Sequence, residues 1–328
     1  MSGTDPSTAA DGQRPAAGST VDDPTFALCL THDVDRPYKT PTHALAGALE
    51  GRARYHLGTL RRPDNPYWTF PDLMDLESSL GVRSAFYLLN EPNLLVERPM
   101  HEWVEPAAWV QHHFRYDVRS PDIARLVGAL DAGGWEVGLH GSYHTDRDQD
   151  RLAHELTVLE SVLGHPVVGG RQHYLRLSIP ETWASHRRLG LRYDASLGSS
   201  REVGFRDGYR PLAPFDDAFL VFPLTLMEVA LEGVADTLAG RWAACESLLE
   251  EAAANRAVMT VLWHPRFFNE AEFPGYRRLY RRLVERALEL GAWVGPPAEC
   301  CALLDDGVFD SSPLELVTPS GDGVAARR

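Results

Sequence analysis

The chain has 328 residues, 44% of them hydrophobic and 24% charged, enough for one large α/β domain or two ordinary ones. Its formal net charge of −14 argues against a nucleic-acid partner, because gripping a phosphate backbone calls for a basic face. No apolar run approaches the ~18 residues of a membrane-spanning helix, so no span is expected.

Positive charge is carried almost wholly by arginine, with Lys39 the single lysine. Such an acid excess reads as a salt-adapted surface, kept soluble by self-repulsion where salt screens it. The four cysteines, Cys29, Cys245, Cys300 and Cys301, form no C-x-x-C and read as thiols of a reducing compartment. Residues 1–24 are rich in Ser, Thr, Gly, Pro and Asp and hold no basic or apolar block. They read as a disordered tail and not as a signal peptide, which favours a cytoplasmic location; residues 318–328 read as a second loose tail. One folded domain is expected over 25–317.

Strand-like and helix-like runs alternate between the tails. Phe26–Thr31 is a short apolar strand. Pro71–Leu80 is helical, Gly81 breaks it, and Val82–Leu89 is the second strand. Ser120-Pro121-Asp122 starts a helix whose apolar face is Ile123, Leu126, Val127 and Leu130; Gly133-Gly134 ends it before the strand Trp135–Leu139. Leu152, Leu156, Leu159 and Leu163 mark the next helix, closed by Gly164, and a strand begins at Val167. A helix over Glu181–Leu189 precedes a short strand at Leu191–Tyr193. Leu220–Leu226 is a strand, Asp236–Ala254 a helix, Val258–Trp263 a strand, Gly275–Leu290 a helix, and Ala292–Val294 the last strand. Repeated β-then-α order implies a parallel sheet. His32-Asp33, His140, Arg171, Asp194 and His264 all fall at or just past strand ends. Five strands delivering polar residues favour a barrel, where all such ends share one face, over an open sheet with a single switch point. Two connections, 36–70 and 90–119, are long enough to be lids or insertions; the second holds Trp103, Trp109, His112, His113, Phe114 and Tyr116.

Three motifs carry chemistry. In Leu139-His140-Gly141-Ser142-Tyr143-His144, histidines four apart can face one way if the loop turns as a helical step, and imidazole suits zinc and related ions. Thr31-His32-Asp33-Val34-Asp35 supplies carboxylates that could complete a three-ligand set and activate water; it could equally be a turn before Pro37, with His32 packed on the opposite face. Thr260-Val261-Leu262-Trp263-His264-Pro265 ends a buried strand in a histidine able to protonate a leaving amine.

Together these motifs resemble the polysaccharide deacetylase (NodB-homology) family, carbohydrate esterase family four. Thr31-His32-Asp33 is similar to its first motif and His140 to His144 to its H-[ST]-x-x-H, with Gly141 replacing Ser or Thr. Arg171 in Gly169-Gly170-Arg171-Gln172-His173 resembles the third motif, Tyr193-Asp194-Ala195-Ser196 the fourth, and Leu262-Trp263-His264 the last. The resemblance spans 26–294 and implies a distorted (β/α) barrel of seven or eight parallel strands. It implies a metal-dependent hydrolase that removes an N-acetyl group from a carbohydrate polymer or precursor. Asp33 would be the base, His264 the acid, with Arg171 and Asp194 supporting them, and His140 and His144 would hold Zn²⁺, or Co²⁺, Mn²⁺ or Ni²⁺. The family's ligand after the base is replaced by Val34, which cannot ligate; Asp35 is the substitute, unless Asp33 itself ligates. The usual R-x-P is also absent, His173 standing where proline would be, so His173 faces substrate or packs. Two other functions stay open: an amidohydrolase on a small non-sugar amide or imide, and a non-catalytic glycan- or metal-binding protein. Oligomeric state is not readable.

Overall fold

The structure is a computed structural model that describes residues 23–61, 64–91, 94–95, 100–105, 109, 115–314 and 316. The expected tails, apart from Asp23 and Pro24, lie outside the described residues, as do His112, His113 and Phe114. Among the described residues, no helix is long and apolar enough to cross a membrane.

A mostly parallel sheet curls into a half-barrel wrapped by helices, a single α/β domain of the distorted (β/α)-barrel kind. Its strands are β1 (Ala27–Val34), β2 (Ala85–Leu89), β3 (Glu136–Gly141), β4 (Gly169–Gln172), β5 (Tyr193–Asp194), β6 (Leu212–Ala213), β7 (Leu220–Val221), β8 (Leu224–Met227), β9 (Val258–Leu262), β10 (Trp293–Gly295) and β11 (Ser312–Pro313). The order β7-β5-β4-β3-β2-β1-β9-β8 is parallel throughout, and β6 joins β7 antiparallel, with β11 beyond it. The second edge of β1 is shared: Ala27–Cys29 pair with β10, and Thr31–Val34 with β2.

The strand expected over Leu220–Leu226 is two. Pro223 has no N–H for a ladder and interrupts it. β7 pairs with β5 and β8 with β9, so one segment reaches both ends of the parallel run and draws the sheet towards closure. The long connection 36–70 holds two helices that periodicity did not reveal, Pro41–Glu50 and Ala53–Thr59. Lys39 clasps it to the segment after β9: its Nζ donates to Glu272 Oε1 at 2.6 Å and lies 2.8 Å from His56 Nδ1. Tyr67 donates to the other oxygen of Glu272 at 2.9 Å.

Period-two alternation sorts each strand between two cores. Ala27 and Cys29 of β1 join Tyr87, Tyr193, Phe222 and Trp293 inside the barrel, while Leu28, Leu30 and Val34 pack under the helices. Gly138 makes room for the interior ring of Tyr87, since a Cβ there would stand 2.5 Å from Tyr87 Cδ1. His32 faces outward with Val34. Its Nδ1 lies 2.5 Å from the Trp263 carbonyl oxygen and its Nε2 2.9 Å from Glu77 Oε1. Glu77, fully buried on the helix Phe70–Leu80, also accepts from Tyr280 at 2.5 Å, Trp135 Nε1 at 2.7 Å and Ser84 Oγ at 2.8 Å.

One buried carboxylate thus joins β1 to the helix of Tyr280 and to Ser84 and Trp135, the residues just before β2 and β3, and an unpaired buried donor costs about 1–3 kcal/mol. Glu77→Ala is expected to destabilise the domain by about 3–5 kcal/mol, with Glu77→Gln losing less. Urea unfolding of the variants checks this; a loss below about 1 kcal/mol for Glu77→Ala would show the donors finding other partners.

Candidate active site at the strand ends

Asp33, one residue from the end of β1, lies on the interior face with Thr31. Arg171 of β4 is fully buried inside the barrel; its Nη1 donates to Asp33 Oδ1 at 2.8 Å and to Thr31 Oγ1 at 2.9 Å, and its Nε donates to the Ala195 carbonyl at 2.7 Å. The guanidinium carbon sits 4.9 Å from the centre of the Tyr87 ring. Burial alone would raise the Asp33 carboxyl, but Arg171, with His140 and His264, outweighs it and holds Asp33 below the usual carboxylate range. Arg171 takes one carboxylate oxygen, and the other, Oδ2, lies 3.7 Å from His140 Nε2.

His140 ends up in register with Arg171, and its Nδ1 donates to the Arg171 carbonyl at 2.9 Å, which fixes Nε2 towards Asp33. The edge of its ring meets His173, with centroids 5.1 Å apart. Burial lowers the pKa of His140, with Asp33 opposing. Burial, helped by His140, pushes His173 down to about 3. Both rings are therefore neutral near pH 7. Gly141 has a steric reason: a Cβ there would stand 2.5 Å from the Gln172 side-chain oxygen. The turn after it is held by Glu155, which accepts from Ser142 N at 2.9 Å and from Ser142 Oγ at 2.5 Å.

His264 follows β9, and its Nδ1 lies 2.6 Å from Oε1 of the fully buried Glu228. Burial would lower the His264 pKa; Glu228, aided by Asp35, overrides burial and the opposing Arg266, so the net shift is upward. Asp35 accepts from Arg266 Nη1 at 3.1 Å. Its carboxyl is driven far down because Arg266, His264 and Arg36 overcome burial.

The sequence-derived residues divide accordingly. Asp33, Arg171 and His140 meet directly, and the charges of His264 and Asp35 act on the same group. Asp194 does not join them. Tyr193 points into the barrel, so its neighbour Asp194 points out, where it accepts from Trp183 Nε1 at 3.1 Å and Ser196 Oγ at 2.6 Å and lies 3.2 Å from His186 Nδ1. The carboxylate behind His264 is Glu228, which the motif comparison missed. It stands just past a strand end, the same sign that singled out the other residues.

A zinc-like ion takes three or four donors at roughly 2.0–2.2 Å. Among the described residues, no group of three His, Cys, Asp or Glu side chains stands close enough to hold an ion. The set Asp35, His140 and His144 is not drawn together: Asp35 is turned to Arg266, and His144 Nε2 lies 4.0 Å from Glu105 Oε2 with a third of its side chain exposed. The donors around Asp33 are nevertheless of the right chemistry, ionised carboxylates beside neutral imidazoles. His140 has the pinned Nδ1 common in metal-binding histidines, and the buried Nδ1 of His173 has no hydrogen-bond partner.

No family model and no curated protein matches the chain. Solved structures with a similar fold include a candidate polysaccharide deacetylase from Mycobacterium smegmatis, at TM-score 0.60 and 18% identity over 94% of this chain and 99% of that one. Puue allantoinase matches at TM-score 0.55 and 13% identity, over 91% of this chain and 96% of its own. A GH57 branching enzyme from Thermococcus kodakaraensis matches at 0.50 and 11%, over 89% and 73%. At these identities the likeness is one of fold.

The His264–Glu228 pair makes a signed prediction. A histidine whose pKa rises on folding adds stability that is complete below the unfolded value of about 6.5 and is lost as pH climbs through the folded value. Imidazole NMR should place the His264 midpoint above about 6.5, and Glu228→Gln should lower it. A wild-type midpoint at or below that value would remove Glu228 as the controlling partner.

Proposed function

We propose that this chain is a metal-dependent hydrolase of a carbon–nitrogen amide bond, releasing acetate from an N-acetylated carbohydrate polymer or precursor. One observation carries the reading: a carboxylate whose pKa Arg171 helps hold down and a histidine whose pKa Glu228 raises stand at one end of the barrel, the histidine's charge acting on the carboxylate. A base and an acid so arranged suit a reaction that removes a proton from water and gives one to an amine.

A divalent ion, zinc foremost, with Co²⁺, Mn²⁺ or Ni²⁺ as alternatives, would be held by His140, an aspartate at the β1 end and a second imidazole, and would supply Lewis acidity to water and carbonyl. Asp33 Oδ2 accepts the proton of the attacking water, while Arg171 keeps Oδ1 and so fixes which oxygen is basic. His264 has Nδ1 engaged by Glu228 and presents Nε2, whose proton passes to the nitrogen as the C–N bond breaks. The rim offers a surface for a sugar ring: Tyr174, 55% exposed, stacks on His173 at 4.2 Å and meets the Tyr143 ring edge-on at 5.8 Å. The likeness to an allantoinase supports a second reading, hydrolysis of a small non-sugar amide or imide by the same residues.

Purified protein reconstituted with each ion and assayed against N-acetylated sugars and small cyclic amides separates the two. Acetate from the sugars alone supports deacetylation; ring opening alone supports the second reading. Asp33→Asn should lose turnover while still retaining metal. His264→Ala should slow amide hydrolysis by about 10²–10⁴-fold and an activated ester much less, because an ester's leaving group needs no proton. Equal losses on the two substrates would exclude the acid role.

A further inference from the structure

We infer that His173, and not His144, is the second imidazole of the metal site, completing a set with His140 and a carboxylate of the β1 end. The inference rests on the metal-dependent reading above and concerns which side chains serve it.

Four observations carry it. His173 follows Gln172, the last residue of β4, and alternation puts it on the same side as Arg171, two residues earlier, towards Asp33. Gln172 points the other way, with its amide oxygen accepting from Thr145 Oγ1 at 2.9 Å and its amide nitrogen 2.9 Å from His186 Nε2. The His173 ring lies 5.1 Å from that of His140, inclined at 60°, so the two rings border one space. The residue is only 7% exposed, yet its Nδ1 is buried without a hydrogen-bond partner, a costly arrangement for a polar atom unless something is bound there.

The backbone supplies the fourth. Tyr174 and Leu175, directly after His173, both adopt left-handed conformations, with φ of 57° and 55°. Two successive non-glycine residues in that region are strained, and strain of this kind collects where a side chain must be aimed. Here it turns the chain so that Tyr174 stacks on His173 and fixes the plane of its ring, 4.2 Å away at 28°. His144 differs in place and exposure: it sits within the Ser142–Thr145 turn with a third of its side chain exposed, its Nε2 is 4.0 Å from Glu105 Oε2, and its ring meets Tyr143 edge-on at 4.9 Å.

Co²⁺ titration followed by its visible absorption, with metal content measured after gel filtration, tests the assignment without reference to turnover. His173→Phe keeps an aromatic ring against Tyr174 while removing the nitrogens, and thermal unfolding in the absence of metal confirms that the variant folds. His173→Phe and His140→Ala should each weaken Co²⁺ binding by more than about 100-fold, beyond the 10–100-fold typical of an outer-shell partner, and His144→Ala by less than that. Uptake that survives His173→Phe but is lost in His144→Ala overturns this inference and leaves the metal-dependent reading standing. A wild type that takes up no Co²⁺ overturns both.

Discussion

The ion pair between Asp33 and Arg171 organises the end of this barrel. Both groups are buried, and taking two charges from water costs several kcal/mol each, a penalty that close geometry and further hydrogen bonds must offset. Arg171 meets that demand with Thr31, the Ala195 carbonyl and the face of Tyr87 in addition to Asp33. It thereby ties β1, β4 and the segment after β5 together from the inside. Its backbone carbonyl in turn receives His140 Nδ1, so one residue sets the position of the carboxylate with its side chain and of the imidazole with its main chain. A buried pair of this kind contributes little net stability. Its value lies in fixing which carboxylate oxygen stays available and which imidazole nitrogen faces it.

Much of this was legible in the sequence because strand ends announce themselves. An apolar run stopping at a polar residue marked Asp33, His140, Arg171 and His264, and a parallel barrel collects such ends on one face. What the sequence withheld was the direction of each side chain. Val34 departs from the family pattern, and the structure gives the reason: β1 stays extended through Val34, so this position faces the helices and Asp35 is the next to return to the site side. The same alternation removes Asp194, since Tyr193 occupies the inward place on β5. Partners far apart in sequence were also hidden. Nothing local joins Glu228 to His264 or Glu77 to His32, because those pairings are made by the order of strands and the wrapping of helices. The helices in the 36–70 connection escaped notice because they are short and only partly buried, so their apolar residues form no sustained stripe.

The surface and the site have opposite electrostatic characters. A chain of net charge −14 places Arg36, Arg171 and Arg266 around its two strand-end aspartates. In a buried setting, carboxylates without such partners would take up protons and lose their use as bases or ligands. The arginines keep them ionised, Arg171 pairing with Asp33 and Arg266 with Asp35, while Arg171 takes only Oδ1 of Asp33 and leaves Oδ2 facing His140.

The histidines show the same principle at finer scale. His140, His173 and His264 share one barrel end and are all buried, so desolvation pushes each of them towards the neutral form. What separates them is the nearest neighbour. His173 has another imidazole beside it and is driven further down. His140 faces an aspartate already claimed by Arg171, which restores too little to reverse the effect of burial. His264 has Glu228 to itself at 2.6 Å, and there alone the carboxylate wins. The outcome is two rings pushed towards the neutral form, suited to accept a cation, and one pushed towards the protonated form, suited to give up a proton. Residues of one chemical type thus take opposite tasks within a single cleft, and the sorting follows from which carboxylates the fold leaves uncommitted.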